Sequence, residues 1–207
     1  MYCRISWWSQ LKTMITNQDT ENQNLKSPYE VSRRYYQSQH IPIMSMSTWS
    51  YIAPLLKKLK AKSILEIGTA VWYGTMMIGD LIQTWWWQIW TYEISYPSYH
   101  HALGNIYARV KDGKSHIHAY HLDFLQVNLD LYLSQALDFV WIDAHKQSYP
   151  LYLQKIIPYL SPHAVCLLDD MIIYPDTQDA IRNLAKTHGL HHQLIHLSDG
   201  DGIFLVS

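Results

Sequence analysis

Residues 63–74 constrain the fold of this chain more than any other stretch. Ile64, Leu65 and Ile67 make a short apolar run of the kind needed by a parallel strand covered on both faces. Gly68 follows, where a sharp turn and a close backbone approach need a residue without a Cβ. A helix is expected to begin at Tyr73. The same strand-to-helix grammar repeats downstream. Strands are expected at 63–67, 88–93, 115–120, 137–142 and 164–168. Helices are expected at 48–60, 73–84, 97–110, 147–160 and 176–188, with a shorter one near 124–135. This alternation means βαβ units and a mostly parallel sheet. The end of the chain differs: residues 191–197 and 202–206 flank Asp199-Gly200-Asp201-Gly202, and Asp-Gly is a strong hairpin signal.

Acids fall where several of these runs stop. Glu93 closes the second run, where a carboxylate can accept hydrogen bonds from both ribose hydroxyls. With the Gly68 turn it suggests a nucleoside-containing cofactor. The positions after Gly68 are Thr69, Ala70, Val71 and Trp72, so the G-x-G-x-x-G pattern of a dinucleotide site fails. A nicotinamide-dependent oxidoreductase is therefore the weaker alternative. Asp143 ends the run 139–142, with Lys146 three residues on, and Asp169-Asp170 ends the run 165–168. Ligands of open α/β sheets bind beyond these strand ends. Three carboxylates converging there repel one another unless a cation lies between them, and a hard ion such as Mg²⁺ suits such oxygens.

Residues Leu65-Glu66-Ile67-Gly68-Thr69 resemble motif I of the class I S-adenosylmethionine-dependent methyltransferases. The Asp143-to-Lys146 and Asp169-Asp170 stretches are similar to the metal motifs of the cation-dependent O-methyltransferases, the catechol and caffeoyl-CoA type. The resemblance runs from about residue 41 to 207. It implies a Rossmann-like, doubly wound, seven-stranded sheet, mostly parallel, with a C-terminal antiparallel hairpin. Residues 1–40 then form a helical extension and 41–207 the methyltransferase domain. It further implies S-adenosylmethionine contacts from Met44, Glu66, Gly68, Tyr73, Gly74, Glu93, Asp123 and Asp143. Asp143, Asp169 and Asp170 would hold Mg²⁺ or another divalent cation, and Lys146, its pKa lowered by burial and by the cation, would be the general base. Asp170 departs from the family, which usually has asparagine there. The acceptor implied is a hydroxylated small molecule of catechol type or a hydroxylated nucleoside in transfer RNA, and a homodimer is a further candidate partner.

Composition excludes more than it identifies. Formal net charge is -1, which gives no basic field for a nucleic acid. Two cysteines, Cys3 and Cys166, make neither a disulfide framework nor a zinc set, and a reducing cytoplasm fits. No signal peptide is visible, and no apolar run reaches the roughly 18 residues of a membrane span. The 12 histidines are read as surface residues rather than metal ligands.

Tryptophan is the anomaly. There are 9, beside only 8 glycines against about 14 at ordinary usage of ~7%. Trp72, Trp49 and the run Trp85-Trp86-Trp87 fall where turns or relatives call for glycine. We hypothesise that several of these positions are glycines in origin, from a gene that reads one stop codon as glycine. A Trp-rich variant, or an inactive relative working as a binding protein, is the alternative. The codons at these positions separate the two: ordinary tryptophan codons would end the glycine reading.

Overall fold

The structure, a computed structural model, describes residues 30–82, 87–109 and 116–207. Any helix before residue 30, and Trp85 and Trp86, lie outside the described residues. In chain order the elements are α1 (Glu30–Ser38), α2 (Met46–Leu59), β1 (Ser63–Ile67), α3 (Tyr73–Leu81), β2 (Gln88–Glu93), α4 (Tyr96–Arg109) and β3 (Ile117–His121). There follow β4 (Leu137–Ile142), α5 (Tyr149–Ile156), β5 (Leu160–Leu168), α6 (Pro175–Thr187), β6 (His192–His196) and β7 (Gly202–Val206).

The strands form one seven-stranded sheet in the order β3-β2-β1-β4-β5-β7-β6. The first five are parallel, and β7 runs antiparallel to both β5 and β6. This is the doubly wound sheet with a terminal hairpin that the sequence implies. Strand residues alternate between two cores, one on each face. Ile64, Phe139 and Trp141 join α2 and α3 side chains such as Leu55, Leu56 and Met77. Leu65, Val140 and Ile142 join Leu153 and Ile181 from α5 and α6. All five residues of β1 are buried, which explains why Ile64, Leu65 and Ile67 fall on both of its faces, with Glu66 as a buried carboxylate among them.

Two expected helices are shorter or absent. The stretch near 124–135 is a pair of 3₁₀ turns, Phe124–Gln126 and Leu129–Leu131. Asp123 Oδ1 accepts from Leu125 N–H at 3.0 Å, and Asn128 Oδ1 accepts from Asp130 N–H at 3.2 Å. Such local side-chain bonds compete with a continuous helix. The helix expected at 147–160 is α5 flanked by 3₁₀ turns at Lys146–Ser148 and Ile157–Tyr159. Pro158 has no N–H to extend the ladder. Among the described residues, no helix is long and apolar enough to cross a membrane.

Candidate active site

β1 lies between β2 and β4, so the chain leaves β1 on one side of the sheet order and returns through β4 on the other. A crevice forms beyond the strand ends at such a switch point. Its floor depends on Gly68, whose φ is +98°; a Cβ built there would stand 2.0 Å from the Asp143 carbonyl oxygen. Asp143 N–H donates to Ile67 O at 2.9 Å, and Asp169 N–H donates to Ile142 O at 3.0 Å, so each strand end fixes the next acid. A cleft open to solvent lies here. Six of the residues expected to meet the cofactor line it: Met44, Glu66, Gly68, Tyr73, Gly74 and Asp143. Pro42, Ile43, Thr69, Ala70, Val71 and Trp141 complete the lining. Glu93 and Asp123 do not line it.

Glu66 is 2% exposed, and burial raises its pKa from 4.5 to about 7 against the hydrogen bonds that oppose the shift. Those bonds come from the Thr75 hydroxyl and from Thr91 Oγ1 at 2.6 Å, both to Oε2. Thr91 is the register partner of Glu66 in the parallel β1–β2 pair, so the two side chains share a face. Glu93 is engaged by backbone: Ala70 N–H donates to Oε2 at 2.8 Å and Ser95 N–H to Oε1 at 2.7 Å. It therefore ties the β1–α3 turn to the start of α4. Asp123 stands just beyond β3, where Leu122 N–H donates to Glu93 O at 3.1 Å; its carboxylate caps the first 3₁₀ turn.

The three acids at the ends of β4 and β5 do converge. Asp143, Asp169 and Asp170 each offer an oxygen, and these lie within 4.8 Å of one another. Asp169 Oδ1 is buried and has no hydrogen-bond partner among the described residues. A buried acceptor left unmatched is costly unless something meets it, and hard-cation ligation is one answer. Burial, then the charges of Asp143 and Asp170, push the Asp169 carboxyl well above its ordinary range. Burial likewise raises Asp143, against the opposing charge of Lys146. Asp170 is held below its ordinary value: burial acts upward, but hydrogen bonds from Asp201 and Lys146 and the lysine charge outweigh it. Asp201 in turn is raised to about 6, by burial and then by its hydrogen bond to Asp170.

Lys146 Nζ donates to Asp143 Oδ1 at 3.0 Å and to Tyr149 OH at 2.8 Å, and pairs with Asp170 Oδ2 at 2.9 Å. Its side chain is only 13% exposed. The sequence reading expects burial and a nearby cation together to lower its pKa; the contacts described here are those without a cation. Burial does push it down, but the Asp143 charge, Tyr149 and Asp170 push harder, and the net shift is upward. Tyr149 is a site residue that the sequence reading missed. Its hydroxyl also accepts from Ala144 N–H at 3.2 Å, bracing the loop after β4. Thr75, Thr91, Trp141 and Asp201 were missed as well; only Thr91 had a signal, its place opposite Glu66 in the register.

Trp72 leaves the cleft free. It lies before α3 with φ +76°, is 2% exposed, and packs in the α2–α3 core rather than lining the crevice. Its indole Nε1 is buried without a partner among the described residues. Of the described tryptophans it is the one with positive φ; Trp49 and Trp87 are buried on ordinary backbone. Support for a glycine origin therefore concentrates at position 72.

A family model described as O-methyltransferase matches residues 18–206. Several solved structures share the fold. A provisionally assigned caffeoyl-CoA O-methyltransferase from Staphylococcus aureus superposes with a TM-score of 0.76 at 18% identity, covering 98% of this chain and 100% of that one. An O-methyltransferase from Bacillus cereus, solved with S-adenosylhomocysteine, gives 0.69 at 20% identity, with 98% of each chain covered. The O-methyltransferase TomG from Streptomyces achromogenes, solved with S-adenosylmethionine, gives 0.67 at 18% identity over 94% of this chain and 95% of that one. At these identities the structures speak for the fold, whereas the family model spans nearly the whole sequence. It decides against the oxidoreductase alternative: the chain belongs to the cation-dependent O-methyltransferase family, and is an S-adenosylmethionine-dependent enzyme of class I.

Proposed function

We propose that this enzyme methylates a hydroxyl of a catechol-like small molecule held beside Asp143, Asp169 and Asp170. The observation that carries the reading is the convergence of those three carboxylates next to the cleft, with a lysine bridging two of them. Asp143, Asp169 and Asp170 would hold a divalent cation, which when bound lowers the pKa of a hydroxyl and orients it. Glu66, Gly68, Tyr73, Gly74 and Met44 form the walls for S-adenosylmethionine, with Glu93 and Asp123 at its ribose and adenine ends. Asp143 stands at the junction of the two regions.

Lys146 is the proposed general base. In its present contacts it is an ammonium held by two carboxylates. It becomes able to take the acceptor's proton when Asp143 and Asp170 are committed elsewhere as ligands. The acceptor oxygen then attacks the methyl carbon of the sulfonium in line. A C–O bond forms, the C–S bond breaks, and S-adenosylhomocysteine and the methyl ether leave. Much of the acceleration comes from holding two reactants in one orientation. Residues 41–207 are taken as the catalytic domain, with 1–40 as an extension whose Tyr36 reaches the core; Asn105 Nδ2 donates to the Tyr36 hydroxyl at 2.9 Å. A cytoplasmic location and a homodimer belong to the same proposal.

The test is transfer of labelled methyl from S-adenosylmethionine to a simple catechol or to transfer RNA bearing hydroxyuridine. With Mg²⁺ the catechol should be labelled, and a chelator should abolish the reaction. Lys146→Ala should lower kcat by about 10²–10⁴-fold. Labelling of the RNA alone would move the acceptor to the nucleoside class. Transfer indifferent to the chelator would contradict the cation role.

A further inference from the structure

Asn105 stands outside the cleft, on α4, yet its side chain joins two of the cleft's walls. Its amide nitrogen donates to the Tyr36 hydroxyl at 2.9 Å and to the Val71 carbonyl at 3.2 Å. A carbonyl can only accept, so the nitrogen must face Val71, and the two N–H groups of one amide serve the two oxygens.

Val71 lines the cleft from the β1–α3 turn. Its carbonyl sits between two left-handed residues, Ala70 with φ +46° and Trp72 with φ +76°. Tyr36 belongs to α1 and is 5% exposed. Its ring meets that of Tyr73, another cleft residue, edge-on at 6.4 Å, and that of His101 from α4 at 6.0 Å. The Tyr36 carbonyl accepts from Ile41 N–H at 3.0 Å, and Pro42, Ile43 and Met44 follow directly as cleft wall. The end of α1 thus aims one wall, the β1–α3 turn is the other, and Asn105 ties the two together.

We propose that Asn105 is a positioning residue for cofactor binding, latching α1 to the β1–α3 turn through Tyr36 and Val71. This rests on the reading of the cleft as the S-adenosylmethionine site. A cofactor that needs both walls in place favours docked α1, and docked α1 favours the cofactor by the same factor.

Calorimetric titration of S-adenosylhomocysteine into the full chain, with hydrogen exchange measured with and without it, tests the latch. The unmodified chain should bind, and binding should slow exchange at residues 69–73 and at residues 35–41. Asn105→Leu keeps the bulk but removes both N–H donors. It should weaken binding by about 5–150-fold, with protection kept at 69–73 and lost at 35–41. A residue that merely stabilised α4 would lower the melting temperature without separating the two segments. Tyr36→Phe keeps the ring packing and removes one acceptor. It should weaken binding in the unmodified chain and add nothing beside Asn105→Leu. If the leucine variant does not fold, Tyr36→Phe alone must weaken binding and reduce protection at 35–41. Unchanged affinity in these variants, or both segments protected as in the parent, overturns the latch while leaving the cleft standing. If the unmodified chain does not bind, or binds without slowing exchange at 69–73, the cleft reading fails and the latch falls with it.

Discussion

Glu66 shows how one residue can be read correctly for place and incompletely for chemistry. Its position at the end of β1 is legible in the sequence, but its protonation state is not. That state depends on burial within the sheet and on the hydroxyls of Thr75 and Thr91, one from the helix after the turn and one from the neighbouring strand. The consequence is a pH effect with a definite sign. The folded pKa of about 7 lies above the ordinary 4.5, so the folded state holds a proton that the unfolded chain has released. Stability from this group is full below about pH 4.5 and is lost as pH rises through about 7, a loss of about 3 kcal/mol. Glu66→Gln cannot titrate. Urea midpoints measured from pH 4.5 to 8 should therefore fall less steeply for the variant than for the parent. Parallel slopes would show that Glu66 is ionised at neutral pH in the folded protein. Lys146 carries the same lesson. Its distance in sequence from Asp170 hides the second carboxylate that keeps it charged.

At the scale of elements, legibility followed burial. β1, β2 and β4 have the bounds expected from sequence, because strands covered on both faces carry apolar residues on both faces within a short, dense segment. The segment 124–135 misled, since its apolar spacing is helical while Asp123 and Asn128 spend their side chains on local backbone caps. The β1–α3 turn is the element where sequence and backbone disagree most. Gly68, Ala70 and Trp72 all have positive φ, and only the first is glycine. A left-handed conformation costs a residue with a Cβ roughly 1–2 kcal/mol. Replacing Trp72 also empties core volume, so a single variant would mix the two effects. Trp72→Gly and Trp72→Ala leave nearly the same space, and their difference isolates the backbone. Glycine is ordinarily the less stable of the two by roughly 0.5–1 kcal/mol within regular elements. Here glycine should be the more stable by about 1–2 kcal/mol in chemical denaturation. Alanine equal to or above glycine would remove the backbone case for a glycine origin at position 72.

For the whole molecule, the sheet order does what no single motif could. It sets β4 beside β1 and β5 beside β4, so acids far apart in sequence meet at one edge of the cleft. The hairpin turn approaches from the far side, where Ser198 Oγ lies 3.0 Å from Ser47 Oγ, next to the loop that lines the cleft. The acids at the strand ends were legible because the sequence places them there. The most direct test of this arrangement is an anomalous difference map from crystals grown with Mn²⁺ and S-adenosylhomocysteine. The expected result is one strong peak bounded by oxygens of Asp143, Asp169 and Asp170, with the cofactor product in the cleft alongside Gly68. A peak at other residues, or a filled cleft with no peak at the three acids, would contradict it.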